Sequence, residues 1–122
     1  MKTLKHSDTR TRIGDLKVKV REFLQERDWE KFHNSKDLAE GICVEAAELL
    51  QLFQWMSPEE VQGFQNDPAK VKQLKEELAD VFIYCLSMAN AMNIDLASSV
   101  IRKLEINRKK YPTEVYRGKA RL

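Results

Sequence analysis

The chain has 122 residues, of which 33% are charged, and its formal net charge is +2. This length suffices for one domain with a modest hydrophobic core, and it is too short for separate cofactor and substrate domains. So small a net charge gives no general argument for a nucleic-acid-binding protein. Only four glycines and three prolines occur, and alternating strand-like apolar runs are missing, so the sequence predicts one all-α domain over residues 1–122.

Export and membrane insertion are not expected from the sequence. The N-terminus lacks an apolar segment of signal-peptide length, and the most apolar stretch, residues 78–96, is interrupted by polar side chains. Cys43 and Cys85 each lie alone in an apolar helical segment, so we expect buried free thiols in a reducing compartment. Together these features predict a cytoplasmic protein.

Apolar residues that recur at spacings of three and four predict four main helices and one short helix. A polar leader at residues 1–11 precedes them, a loop spans residues 29–36, and a basic tail follows the last helix at residues 113–122. The expected helical ranges are 13–28, 37–56, 58–65, 68–92 and 96–111.

Polar residues mark where these helices begin and end. Ser57 and Glu60 have the spacing of a capping box at the start of the short helix. Asp67 and Asp95 are the expected N-caps of the two helices that follow. Pro112 prevents the last main helix from continuing.

The second and third main helices are apolar on nearly every side, rather than along one stripe. In the second helix, the apolar residues are Leu38, Ile42, Val44, Leu49, Leu50, Leu52 and Phe53. Such helices need cover on several sides, and a single subunit with four helices supplies little of it. The sequence therefore predicts a compact four-helix bundle that assembles as a homo-oligomer.

Two pairs of acidic residues lie on these apolar helices. Glu45 and Glu48 form the first pair, and Glu77 and Asp80 form the second. A spacing of three places both carboxylates of a pair on one helix face. Neither lysine nor arginine occurs between residues 38 and 56. Exposed helical acids usually alternate with basic residues, so this pattern is not that of an ordinary solvated face.

A buried cluster of four such carboxylates needs a positive charge. Two like charges about 4 Å apart repel by about 4 kcal/mol at an effective dielectric constant of about 20, and desolvation adds a further cost. Oxygen ligands from two facing helices are the set that Mg²⁺ or Mn²⁺ prefers. Solvent-exposed acids without a ligand are the alternative, but the doubled pattern favours a metal site.

Aromatic residues are spaced to lie near these acids. Trp55 follows Glu48 by seven residues and Tyr84 follows Asp80 by four, which places each pair on one helix face. Seven residues of helix span about 10 Å, comparable to the separation of a nucleotide's phosphates from its base. The two rings are candidates for stacking on a base, although packing in the core fits the spacing equally well.

The last main helix carries Lys103 and Asn107 one turn apart beside apolar residues, so both can face a triphosphate. The remaining basic residues near its end are more typical of a solvated helix C-terminus. His33 lies in the predicted loop with no second histidine nearby, which favours a structural role.

These residues resemble a known family, the MazG-like nucleotide pyrophosphohydrolases. The motifs that carry the resemblance are EAAE at 45–48, EELAD at 76–80 and KLEINRKKYP at 103–112. The flanking segments are most similar to the dCTP pyrophosphatase branch, and they are ERDW at 26–29, FH at 32–33 and ELLQLFQW at 48–55. The ordered set spans most of the chain, which makes it more specific than any one short motif.

The resemblance implies a helical subunit that forms dimers or tetramers and converts a nucleoside triphosphate to the monophosphate and pyrophosphate. By resemblance the substrate is dCTP or a related pyrimidine deoxynucleotide. The family binds Mg²⁺, for which Mn²⁺ is a substitute, and the matching catalytic and metal-binding acids are Glu45, Glu48, Glu77 and Asp80. The matching substrate-binding residues are Trp29, Trp55, Tyr84, Lys103 and Asn107. Val20 stands where vertebrate members carry a histidine near the base, so base selectivity does not transfer.

Two other functions remain open at the level of sequence. One is a non-catalytic helical module that binds nucleotides or RNA through the basic stretch at residues 102–121. The other is a related all-α pyrophosphatase that acts on dUTP or phosphoribosyl-ATP.

Overall fold

The computed structural model describes residues 5–119, which contain six α-helices, two short 3₁₀ turns and no strand. The prediction of an all-α chain is therefore confirmed. The α-helices are Ile13–Glu26 (α1), Ser35–Gln51 (α2), Pro58–Gly63 (α3), Pro68–Ala91 (α4), Leu96–Lys110 (α5) and Thr113–Tyr116 (α6), and the 3₁₀ turns are Glu30–Phe32 and Phe64–Asn66.

The helices begin where the sequence predicts capping residues. Ser57 Oγ accepts a hydrogen bond from the Glu60 backbone N–H, and the Glu60 carboxylate accepts one from the Ser57 backbone N–H, which forms the capping box. Asp67 caps α4 and Asp95 caps α5 through their side-chain oxygens. At the end of α4, Asn93 adopts a left-handed conformation with φ of 53°, which lets the chain turn into α5.

The predicted end of the second helix is wrong by five residues. We expect Met56 from the sequence, whereas α2 ends at Gln51 and the chain continues through tight turns. The Phe53 N–H donates to the Leu50 carbonyl rather than continuing the α-helical pattern. Phe53 packs on the buried ring of Phe64, with 4.6 Å between ring centroids. This aromatic contact is available to Phe53 in the tight turn, and such pairs contribute about 0.5–1.5 kcal/mol.

The first, second and fourth helices make the most extensive contacts, chiefly α2 against α4 and α1 against α4. Val20 and Leu24 from α1 pack against Leu86 from α4 in a buried apolar cluster. Two hydrogen bonds join the N-terminal part of α1 to the C-terminal end of α4 and the loop that follows it. Lys17 Nζ donates to the Ile94 carbonyl at 2.8 Å, and Asn90 Nδ2 donates to the Lys17 carbonyl at 2.9 Å.

The α5 helix leaves α4 at an angle of 103° and contributes no buried residue within the described chain. Val100, Ile101 and Leu104 instead expose half or more of their surface. No single helix in residues 5–119 is long and apolar enough to cross a membrane, and α4 with α5 meets that test only as a bent pair.

Three smaller expectations have different outcomes. Residues 113–116 of the predicted basic tail form the short helix α6, whereas residues 1–4 of the leader and 120–122 of the tail lie outside the described residues. Both cysteines are free thiols, as expected. Cys43 is exposed rather than buried, because an apolar helical segment does not by itself provide a covering element, and Val44 beside it is also exposed. Cys85 is half-buried.

Candidate active site

The two acidic pairs meet where α2 faces α4. Glu45 and Glu48 lie on α2, one and two turns after Gly41, and Glu77 lies in the third turn of α4. Each of these three residues offers a carboxylate oxygen, and the three oxygens lie within 4.8 Å of one another. The structure therefore brings three of the four predicted acids into one cluster.

Asp80 lies one turn after Glu77 on α4 and is exposed, as Glu48 is, whereas Glu45 and Glu77 are partly buried. The carboxylate oxygens of Asp80 are not part of the group of oxygens that lie within 4.8 Å of one another. Its charge nevertheless raises the pKa of both Glu45 and Glu77, so it lies within electrostatic range of the cluster. Asp80 also lines the adjoining cavity, which places it between the other acids and that space.

The ionised state of the three clustered carboxylates is energetically unfavourable without a positively charged partner. Burial raises the pKa of Glu45 to about 6, with additional effects from the Glu48 hydrogen bond and the neighbouring charges. Burial also raises the pKa of Glu77, with further contributions from Glu48 and Asp80. Oε2 of Glu45 and Oε2 of Glu77 are both buried without a hydrogen-bond partner. Such groups are costly to bury unless a ligand neutralises them.

Within the described part of the chain, no lysine or arginine forms an ion pair with these acids or with Asp80. Unpartnered, converging carboxylate oxygens form the donor set of a hard divalent cation. The residues present therefore fit a divalent metal ion, and the orphaned oxygens of Glu45 and Glu77 are the observation that supports this fit.

A cavity of about 270 Å³ begins at Asp80 and extends between α1 and α4. It brings together Trp29 and Tyr84, two of the aromatic residues matched by resemblance to the base-binding region. The other residues of its wall are Phe23, Leu24, His33, Ile83 and Ser87. An acidic group at one end and aromatic rings along the wall suit a ligand with a charged, metal-binding part and a planar part.

The two aromatic residues are held by their neighbours. Trp29 packs edge-on against Phe23, with 5.8 Å between ring centroids and an interplanar angle of 81°. Tyr84 lies near His33, at 6.4 Å between centroids, and its ring occupies the space beside Gly41. Both rings are therefore in contact with neighbouring side chains while they line the cavity.

Three predicted substrate-binding residues do not join this site within the subunit. Trp55 follows the end of α2 in the turn, and 88% of its surface is exposed. The inference that it shares a helix face with Glu48 is therefore wrong, because α2 has already ended at Gln51. Lys103 and Asn107 lie on α5, and neither lines the cavity.

The sequence alone did not identify three residues of this site. Gly41 permits the approach of Tyr84, His33 lines the cavity with a buried and unpartnered Nδ1, and Ser87 lies on its wall. The spacing of Ser87 from Asp80, seven residues along one helix, was the available signal. Nothing in the sequence distinguishes the other two from an ordinary helical glycine and a loop histidine.

This chain is similar to several known proteins. A family model described as the MazG-like family matches residues 41–119. The dCTP pyrophosphatase 1 of Rattus norvegicus is 40% identical over 108 residues, which cover 88% of this chain and 64% of the relative. The Homo sapiens protein of the same name is 37% identical over 109 residues, which cover 89% of this chain and 64% of that relative.

A solved structure is similar over nearly its whole length. The crystal structure of a pyrophosphatase from Archaeoglobus fulgidus DSM 4304 matches with a TM-score of 0.73 and 37% sequence identity. The match covers 91% of this chain and 99% of that chain. The chain spans 64% of the length of the curated relatives, whereas it matches the archaeal pyrophosphatase almost completely.

Proposed function

This chain belongs to the MazG-like family, and on that premise we propose that it is a Mg²⁺-dependent nucleoside triphosphate pyrophosphohydrolase. The substrate is dCTP or a related pyrimidine deoxynucleotide, and the products are the monophosphate and pyrophosphate. The names of the relatives, dCTP pyrophosphatase 1 and pyrophosphatase, support this reaction. The observation that carries the proposal is the cluster of acids with two orphaned oxygens, next to Asp80, which lines an aromatic cavity.

We assign the metal to Glu45, Glu48, Glu77 and Asp80, and Mn²⁺ is the expected substitute for Mg²⁺. When bound, the ion supplies positive charge to the phosphate oxygens and makes a water molecule more acidic. The acids would hold that ion, and they lie where the triphosphate end of the nucleotide would approach it. Either Glu45 or Glu48 accepts the proton of the attacking water, since both lie in the cluster.

The aromatic wall orients the other end of the nucleotide. Trp29 and Tyr84 provide flat apolar surfaces on which a base stacks, and such stacking contributes about 1–3 kcal/mol per base. Because Asp80 is part of the same cavity, a base held there places its phosphates near the acids. This arrangement supplies the orientation that phosphoryl transfer needs.

The remaining proposed nucleotide contacts require a second subunit. Trp55, Lys103 and Asn107 lie away from the cavity of their own chain, and α5 exposes a broad apolar surface. We therefore propose that single-domain subunits assemble as a dimer or tetramer, in which these residues approach the site of a neighbour. The two free thiols support a cytoplasmic location.

A substrate panel tests this function. Purified protein is incubated with Mg²⁺ and each canonical deoxynucleoside and ribonucleoside triphosphate, with dUTP and phosphoribosyl-ATP included, and both products are identified by anion-exchange chromatography. We expect the fastest turnover with a pyrimidine deoxynucleotide, giving monophosphate and pyrophosphate, and loss of turnover with chelator. Nucleotide binding without hydrolysis would instead support a non-catalytic module.

A further inference from the structure

Ser87 has an unusual position in the core. Among residues 5–119 it is the one polar residue that is buried, and only 6% of its surface is exposed. It lies on α4 next to Leu86, which belongs to the apolar cluster between α1 and α4. A buried hydroxyl group is favourable chiefly where it can form a hydrogen bond.

Ser87 shares a face of α4 with residues of the proposed active site. It follows Asp80 by seven residues and Tyr84 by three, so the three side chains lie along one helix face. Seven residues of helix span about 10 Å, which is comparable to the distance between the phosphates and the base of a nucleotide. With Asp80 near the phosphates, the hydroxyl of Ser87 lies at the level of the base.

Ser87 also lies between two cavities. The aromatic cavity that begins at Asp80 shares Leu24, His33 and Ser87 with a second cavity of about 300 Å³. The second cavity is more polar, because Arg21, Glu30 and Asn90 are part of its wall. Ser87 therefore stands where the aromatic cavity adjoins the more polar one.

We propose that Ser87 is a specificity-determining residue whose hydroxyl hydrogen-bonds to the polar edge of the nucleotide base. This inference rests on the proposed function. Trp29 and Tyr84 stack on a base without distinguishing one base from another, since every base has an aromatic face. A buried hydroxyl, in contrast, discriminates between bases by whether the edge that faces it carries a complementary group.

Two substitutions separate hydrogen bonding from packing. Ser87→Ala removes the hydroxyl and leaves a small space, whereas Ser87→Cys keeps nearly the same volume and replaces the hydroxyl with a weak hydrogen-bonding group. We expect both to lower kcat/KM for the preferred nucleotide by about tenfold, and to leave the poorer nucleotides within about twofold. The ratio of kcat/KM between the preferred and the poorer nucleotides therefore falls by about the same factor.

A substrate without a base provides the internal control. Deoxyribose 5-triphosphate reaches the acids but cannot contact Ser87, so its kcat/KM stays within about twofold of the wild-type value in both variants. Ser99→Ala, an exposed serine on α5, is the matched control protein and retains the wild-type base preference. Thermal unfolding followed by circular dichroism verifies that each variant is folded.

The outcomes distinguish this inference from the proposed function. If wild-type protein hydrolyses nucleotides but both variants keep its base preference, or lose activity equally toward every substrate, Ser87 is structural and the inference is wrong. Failure of both variants to fold leads to the same conclusion. If the wild-type protein hydrolyses no nucleotide at all, the proposed function fails and the inference fails with it.

Discussion

Gly41 on α2 leaves the space that the ring of Tyr84 on α4 occupies. A Cβ atom on Gly41 would stand 2.9 Å from Cζ of Tyr84 and closer still to Cδ1 and Cε1. Real Cβ atoms do not approach other atoms so closely. The contact therefore sets the separation of the two helices one turn away from Glu45 and Asp80, and it positions both the aromatic wall and the acids.

Gly41→Ala is expected to impair the site because the new methyl group displaces the Tyr84 ring. Overpacking of this kind costs about 1–3 kcal/mol, which exceeds the gain of about 1 kcal/mol from replacing glycine within a helix. We expect kcat/KM to fall by at least about tenfold and the melting temperature to drop or stay level. Steady-state kinetics and thermal unfolding measure the two effects.

Gly14→Ala is the matched control, since an added Cβ at Gly14 on α1 meets no atom within 4 Å. This variant is expected to gain a little stability from helix propensity and to keep full activity. Equal behaviour of the two variants would show that the Gly41–Tyr84 contact does not organise the site.

Glu48→Gln and Asp80→Asn each remove a negative charge while keeping the shape of the side chain. Because both acids are proposed metal ligands, we expect turnover to fall by at least about 100-fold with an unchanged helical circular dichroism spectrum. Glu76→Gln, an exposed neighbour on α4, serves as the control and retains activity. Near-normal turnover in either active-site variant would contradict the assigned roles.

The raised pKa of Glu45 predicts how pH affects stability in the absence of metal. Its pKa is about 6 in the folded chain, above its ordinary value of 4.5, so the folded state binds the proton more tightly than the unfolded state. The corresponding contribution to stability is complete below pH 4.5 and is lost as pH rises through about 6. Glu77, whose pKa is also raised, adds to the effect in the same direction.

Mg²⁺ is expected to oppose this loss because it binds the ionised carboxylates. The increase in melting temperature on adding Mg²⁺ should therefore be larger at pH 7.5 than at pH 5, and it should nearly disappear in Glu45→Gln. Differential scanning fluorimetry with and without Mg²⁺ at both pH values measures this increase in melting temperature. An increase of the same size at both pH values would argue against metal binding at these acids.

The exposed apolar surface of α5 predicts assembly. Ile101 exposes 63% of its surface in the subunit, so Ile101→Asp places a charge in the proposed interface. We expect light scattering to show a shift toward monomer and kcat/KM to fall, because a monomer lacks Trp55, Lys103 and Asn107 from its neighbour. If the Ile101→Asp variant keeps the molar mass and the activity of the wild-type protein, α5 is not part of the subunit interface.

Local signals in the sequence were sufficient for most of the secondary structure. Ser57, Asp67 and Asp95 cap their helices through hydrogen bonds that span only two or three residues, so each is predictable from its immediate neighbours. The two acidic pairs were predictable for the same reason. A spacing of three on a helix fixes a shared face without knowledge of the tertiary structure.

Features that depend on distant residues could not be predicted. The tight turn after α2 includes Phe53, which packs on Phe64, eleven positions away in the sequence. The role of Gly41 depends on Tyr84 from another helix, and that of Ser87 depends on cavities formed by three segments. Such tertiary contacts override local preference and have no signature in a single sequence.

Hydrolysis in ¹⁸O-labelled water tests the central claim most directly. Wild-type protein, Mg²⁺ and dCTP are incubated in labelled water, and the products are analysed by mass spectrometry, with a parallel sample that contains chelator. We predict one labelled oxygen in the monophosphate, unlabelled pyrophosphate and no products when the metal is removed. Label in the pyrophosphate, release of inorganic phosphate, or turnover that persists with chelator would contradict the account.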